Sequence, residues 1–253
     1  MGGNMDRGKV EISADPKALF ESAAQRISQA AHAAIARSGR FSLVLTGGST
    51  PKGLYQLLAS DGWRGKIEWS KTHLFWGDER FVPASDAQSN YAMAKTALLD
   101  HLDIPAEHVH RIVTENVNPV DCANGYEEEI REFFHSPAGV FPAFDLILNG
   151  MGSNRHTLSL FPGRPTLKEK ARLVVADYIP EVSMNRITMT APLVNAGRSV
   201  VFLLSGKDKA EALKDVLYGA EDIDAKPAQA IRPKHGELVW MVDREAAALL
   251  PKS

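Results

Sequence analysis

Short apolar runs, each closed by a glycine-rich or charged turn and then a helical stretch, recur along this chain and restrict its fold more than any other feature. Phe41–Leu45 ends at Thr46-Gly47-Gly48-Ser49-Thr50, after which Pro51 opens a helix carrying Leu54, Leu57 and Leu58. Thr72–Trp76 ends at Gly77-Asp78-Glu79-Arg80, with a helix predicted from about 89 to 99. The runs 144–148, 187–190, Ser199–Leu204 and 238–242 repeat the pattern. The third of these leads through Lys207-Asp208-Lys209 into a helix stopped by Gly219, and the last precedes a short closing helix. Ahead of them all, Asp15 as N-cap, Pro16 at the first helical position and Leu19, Ala23, Ile27, Ala31 and Ala34 at helical spacing predict a long amphipathic helix that ends at Gly39. Near-continuous apolar runs alternating with helices point to an α/β fold whose parallel strands are buried on both faces. In such sheets ligands gather at the carboxyl ends of the strands, so the polar turns should converge on one edge.

Composition narrows the partners. The chain has 253 residues, 44% of them hydrophobic, enough for one sizeable core, and 1–253 reads as a single domain with 1–10 as a loose, flexible tail. A formal charge of -2 removes any overall attraction for nucleic acid or an acidic membrane surface, so an anion would need a local cluster. One cysteine, Cys122, allows no internal disulfide and suits a reducing compartment, which makes the cytoplasm the expected location. No apolar stretch approaches bilayer length, and a monomer or weak homo-oligomer is expected.

Taken singly, each motif has an ordinary reading beside a functional one. Two glycines, two hydroxyls and a helix N-terminus at 46–51 suit a phosphate, or form a plain strand-to-helix turn. Arg80 at a strand end is either an anion clamp or part of a solvated ion pair. His156, in the glycine-bearing loop 150–156, is either a general base or a structural imidazole. Arg186 and Lys209 stand at element ends that can reach the same edge. His108 and His110 have strand spacing but no third ligand nearby, and Glu127-Glu128-Glu129 reads as a solvated helix face.

Together, Thr46 to Pro51, Trp76 to Pro83 with Ser89-Asn90-Tyr91, 145–162 and Pro227-Ala228-Gln229-Ala230-Ile231 resemble the 6-phosphogluconolactonase family, in family order and over nearly the whole chain. The resemblance implies a three-layer α/β/α sandwich with a mainly parallel, Rossmann-like sheet related to glucosamine-6-phosphate deaminase. It also implies a small-molecule sugar phosphate lactone as partner: 6-phospho-D-glucono-1,5-lactone is hydrolysed to 6-phosphogluconate in the oxidative pentose phosphate pathway, with no metal and no organic cofactor. Carried over by position, Gly47, Gly48, Ser49 and Thr50 with Arg186 and Lys209 would hold the phosphate. Asp78 and Arg80 match the family's pair of one acidic and one basic active-site residue, and His156 its proposed general base.

The family usually reads Gly-x-Gly-x-Asp-Gly-His-x-Ala-Ser-Leu-Phe-Pro, where this chain has Asn154, Arg155 and Leu158 in place of Asp, Gly and Ala. Asn154 can orient the imidazole only through a neutral hydrogen bond, without the charge assistance of a carboxylate. Arg155 either strains a left-handed backbone, obstructs the cleft, or adds positive charge for the substrate; Asn154 and Arg155 are therefore candidate cleft modifiers. Two alternatives stay open beside hydrolysis: an amino-sugar phosphate isomerase or deaminase on the same fold, and a catalytically weakened sugar-phosphate-binding protein.

Overall fold

The computed structural model describes residues 7–251. Strand β1 (Lys9–Ser13) leads into helix α1 (Pro16–Ser38), which starts where the Asp15 side chain accepts the Ala18 N–H at 2.8 Å and ends at left-handed Gly39. Such an N-cap is worth about 1 kcal/mol, so both ends of the helix are written locally. The buried stripe of α1, from Leu19 to Ala34, packs on β2 (Phe41–Leu45) and α2 (Ser49–Leu58). The chain continues through β3 (Thr72–Trp76), β4 (Asp78–Arg80), α3 (Asn90–Ala97), β5 (Val109–His110), α4 (Pro119–Phe134) and β6 (Leu146–Asn149). It ends with β7 (Val174–Ile179), β8 (Met184–Met189), α5 (Ala191–Asn195), β9 (Ser199–Leu204), α6 (Ala210–Tyr218) and β10 (Glu237–Asp243).

Seven strands form one wholly parallel sheet in the order β1-β10-β9-β6-β2-β3-β5, flanked by helices in the expected three-layer α/β/α arrangement. Every residue of β2, β6 and β9 is buried, as strands covered on both faces require. Chain order reverses between β2 and β6, so the turns after those two strands splay apart and open a crevice at the switch point.

Several expectations are corrected. The tail expected over 1–10 ends sooner, since Arg7 is buried, donating to the carbonyls of Val216 and Gly219, and Lys9 begins a strand; residues 1–6 lie outside the described residues. The charged run Asp78 to Arg80 is a strand, and 187–190 does not enter the main sheet; β4, β8 and β7 make a separate antiparallel sheet. Alternation alone does not say which sheet a strand joins. Arg186 is the third residue of β8, not its start. The helix before Gly219 does stop there, with Gly219 in extended backbone, but β10 is followed by turns, not by the expected helix. Glu127 is buried, not solvated: it receives Arg131, Arg172 and the N–H of Leu173, which ties α4 to the small sheet. Among the described residues no helix is long and apolar enough to cross a membrane.

Candidate active site

A cleft of about 530 Å³ opens at the switch point, lined by Gly47 to Pro51 from the turn after β2, Asp78 and Arg80 from β4, Asn154 and His156 from the turn after β6, Arg186 from β8 and Lys209 ahead of α6. All the residues expected to grip or process a substrate line it. Glu181 and Val182, from the turn between β7 and β8, form part of its rim and were not anticipated.

The phosphate-type end is built from backbone and cations. Gly48 takes φ of 106°, which turns the chain sharply into α2, and no side chain caps that helix. Its first-turn N–H groups therefore face the cleft with the positive end of the helix dipole behind them. Across the antiparallel β4–β8 pair, Arg80 stands directly opposite Arg186. Each has a buried Nε without a partner among the described residues; one Arg80 nitrogen donates to Gln88 O at 2.6 Å. Like charges facing each other across strands repel, so this arrangement favours an anion between them. Burial lowers the Arg186 pKa, offset in part by Asp78, but no arginine titrates near neutrality.

Asp78 is 5% exposed and hydrogen-bonds neither to His156 nor to Arg80: its oxygens accept from Ser159 Oγ at 2.7 Å and Asn90 Nδ2 at 3.2 Å. Asp78 therefore positions neither of them by direct contact, and its influence on His156 is through charge. Glu79, whose part sequence reasoning missed, organises this corner. Its carboxylate accepts Ser89 Oγ and the N–H groups of Arg80, Asn90 and Tyr91, at 2.7 to 3.0 Å.

His156 sits in a loop folded tightly on itself, with Gly152 N–H donating to His156 O and Arg155 N–H to Gly152 O, both at 2.9 Å. A Cβ on Gly152 would lie 2.3 Å from the imidazole, so only glycine lets the ring take this position. The imidazole stacks on Phe161 at 4.2 Å between centroids. Its Nδ1 lies 2.5 Å from Asn154 Oδ1, which also accepts the His156 backbone N–H at 3.3 Å. An oxygen that accepts from both assigns the proton to Nδ1 and leaves the Nε2 lone pair free. Burial, with Arg186, Lys209 and Arg80 adding to it and Asp78 opposing, lowers the His156 pKa to about 4. The ring is neutral at pH 7.

Of the readings open for Arg155, obstruction of the cleft is not what the structure has. The residue is left-handed at φ 68°, and its guanidinium turns to α6, where Nη2 and Nε lie 2.8 and 3.1 Å from Asp215 Oδ2. The backbone costs about 1 to 2 kcal/mol. A partly exposed ion pair returns up to about 1 kcal/mol, and the hydrogen bond from Ala228 N–H to Arg155 O returns about as much, so the loop nearly balances. Asp215 carried no signal in the sequence, because nothing local links it to a loop 60 residues earlier.

The paired histidines lie elsewhere. His73 Nδ1 is 3.0 Å from His110 Nε2, His110 Nδ1 reaches Glu129 at 2.8 Å, and the His108 ring lies tilted against His73 with centroids 3.9 Å apart. Among the described residues no group of three or more His, Cys, Asp or Glu is arranged to hold a metal ion. Burial, then the charges of His108, His110 and Arg40, lowers the His73 pKa to about 4. A histidine with its pKa depressed on folding binds fewer protons folded than unfolded. Its stabilisation is therefore complete above about 6.5 and is lost as the pH falls from there towards 4. We expect the urea midpoint to drop between pH 7 and pH 5, and the drop to shrink in His73→Phe, which keeps the aromatic packing. Equal drops in the two proteins would refute a role for His73.

The profile of the glucosamine-6-phosphate isomerases/6-phosphogluconolactonase family matches residues 14–240. The chain belongs to this family. Similar family members include a 6-phosphogluconolactonase of Nostoc sp., 42% identical over 95% of this chain and 98% of that one, and one of Mycobacterium tuberculosis, 38% identical over 96% and 98%. Among solved structures, 6-phosphogluconolactonase from Trypanosoma cruzi superposes with a TM-score of 0.84 at 30% identity, covering 97% of each chain. A monomeric glucosamine-6-phosphate deaminase reaches 0.78 at 23% identity over 95% of this chain and 99% of that one, and shares the fold. The cleft that holds His156 thus lies at the switch point of a fold shared with these proteins.

Proposed function

We propose that the protein acts as a single catalytic domain that hydrolyses 6-phospho-D-glucono-1,5-lactone to 6-phosphogluconate, the lactonase step of the oxidative pentose phosphate pathway. The observation that carries this reading is a neutral imidazole with a free Nε2 in the same cleft as a helix N-terminus, Arg186 and Lys209. The phosphate docks on Gly47, Gly48, Ser49 and Thr50 with Arg186 and Lys209, and that remote binding places the ring. Nε2 of His156 takes a proton from water as the water oxygen bonds to C1. The C1 carbonyl becomes an oxyanion that the Arg80 guanidinium stabilises. Collapse breaks the bond from C1 to the ring oxygen, which leaves with the proton from the imidazolium, and the open-chain acid departs. Asp78 favours the imidazolium through its charge.

A dianionic phosphate also offsets Arg186 and Lys209, two of the charges that hold the His156 pKa down, so substrate binding makes the base stronger. Because Arg155 turns away to Asp215, the cleft stays open, which favours a working hydrolase over a binding protein. The named relatives favour it over the amino-sugar reaction.

The direct test is turnover of the phosphorylated lactone, corrected for spontaneous hydrolysis, beside ammonia release from glucosamine 6-phosphate. Arg186→Ala and Lys209→Ala should each raise KM roughly ten- to hundredfold, the worth of about 1.5 to 3 kcal/mol in a charge-assisted hydrogen bond. Turnover of unphosphorylated gluconolactone should change far less, since only the altered charge around His156 reaches it. Unaltered KM for the phosphorylated substrate in both variants would remove them from the phosphate site.

A further inference from the structure

We propose that the Arg155–Asp215 ion pair is a positioning device for His156, fastening the loop that carries the imidazole to helix α6 so that Asn154 stays at Nδ1 and Nε2 stays turned into the cleft. The inference deepens the reading above and rests on it for the role of His156. Arg155 is the residue next to the imidazole, and it holds a backbone conformation, φ of 68°, that an untethered arginine readily leaves. Its side chain reaches three ways. Nη1 donates to Ser153 O at 3.2 Å, inside the loop, while Nη2 and Nε donate to Asp215 Oδ2 on α6. Its own carbonyl is held by Ala228 N–H at 3.0 Å.

The helix to which it is tied is itself firmly anchored. Gln229, 2% exposed, donates to Val216 O at 3.2 Å, and Arg7 donates to the carbonyls of Val216 and Gly219, so the far end of α6 is held from two sides. The near end of the same helix continues from the turn that carries Lys209. One rigid body therefore bears the phosphate-side lysine and, through Asp215, the loop of the base. Neither Arg155 nor Asp215 lines the cleft, so neither touches substrate; both act through the backbone at 155. If the tether is cut, Arg155 is free to relax to negative φ, which swings the adjoining imidazole away from Asn154.

The experiment is a double-mutant cycle in the full chain with lactone turnover and imidazole 15N spectra as readouts. Arg155→Ala and Asp215→Ala should each lower kcat about tenfold, inside the roughly hundredfold that a 1 Å misplacement costs, with KM changed less than about twofold. Arg155→Ala with Asp215→Ala should fall no further than the worse single variant, because both remove the same tether. Asp215→Glu should restore most of kcat. The spectra, which need no substrate, should show His156 protonated at Nδ1 in the parent and a tautomer mixture in both single variants. Single variants with parental kcat, losses that multiply in the double variant, or imidazole spectra unchanged by either substitution would each overturn the proposal. A parent that leaves the lactone untouched, while the spectra change as stated, would instead refute the catalytic reading and leave the tether in place.

Discussion

His156→Ala should lower kcat by two to four orders of magnitude while leaving the fold and KM nearly unchanged. The imidazole contributes proton transfer, for which a positioned base is worth about 10²- to 10⁴-fold, and the phosphate is held by other groups. Its neutral state at pH 7 follows from burial and from Arg186, Lys209 and Arg80 around it. The free protein should therefore keep an unprotonated base down to about pH 4, and 6-phosphogluconate, by offsetting those cations, should raise the His156 pKa measured by NMR. His156→Gln is the stricter test, since it keeps a polar group over Phe161 without a titrating nitrogen. Turnover equal to the parent in both variants would end the assignment of His156 as base.

Glu79→Ala should destabilise the protein by about 3 to 5 kcal/mol, since it leaves four donors without their acceptor and each buried unsatisfied group costs roughly 1 to 3 kcal/mol. The carboxylate accepts the N–H groups of Arg80, Asn90 and Tyr91 and the Ser89 hydroxyl, and at 2% exposure water cannot replace it. Two of those N–H groups belong to the first turn of α3, so the helix loses its N-terminal acceptor as well. In a chain of this length the loss corresponds to a Tm lower by roughly 10 °C. Burial raises the Glu79 pKa against these hydrogen bonds, so the neutral isostere Glu79→Gln should cost less than alanine. A fall in Tm of less than about 2 °C for Glu79→Ala would show that the corner at 78–91 is held by something else. Asn90, anchored by Glu79, donates to both the backbone and side chain of Asp78, so a measurable loss of kcat should accompany the loss of stability.

The strand-and-turn grammar was legible because its causes are local. Asp15, Pro16 and Gly39 bound α1 by hydrogen bonds and backbone angles within a few residues, and the apolar runs of β2, β3 and β9 are strands within a residue of where they were read. The convergence of 46–51, 77–80, 150–156 and Lys209 on one edge followed from parallel strands ending together. What escaped were elements whose partners are remote. Short β1 and β5 gain their stability as edge strands beside β10 and β3, and β7 exists because β8 pairs with it. The Glu127 run looked solvated because an acidic triplet ordinarily is; Arg172, 45 residues later, makes its burial affordable.

By itself, then, the sequence determined the fold class, the family motifs and the set of turns that meet at the switch point, since periodicity, capping and turn chemistry act over a few residues. Tertiary structure alone decided that Arg80 faces Arg186, that Asp78 serves Ser159 and Asn90 instead of the imidazole, and that Arg155 leaves the cleft for Asp215. Those pairings join groups far apart along the chain, and their energies depend on distance, burial and direction in space, which the order of residues does not encode.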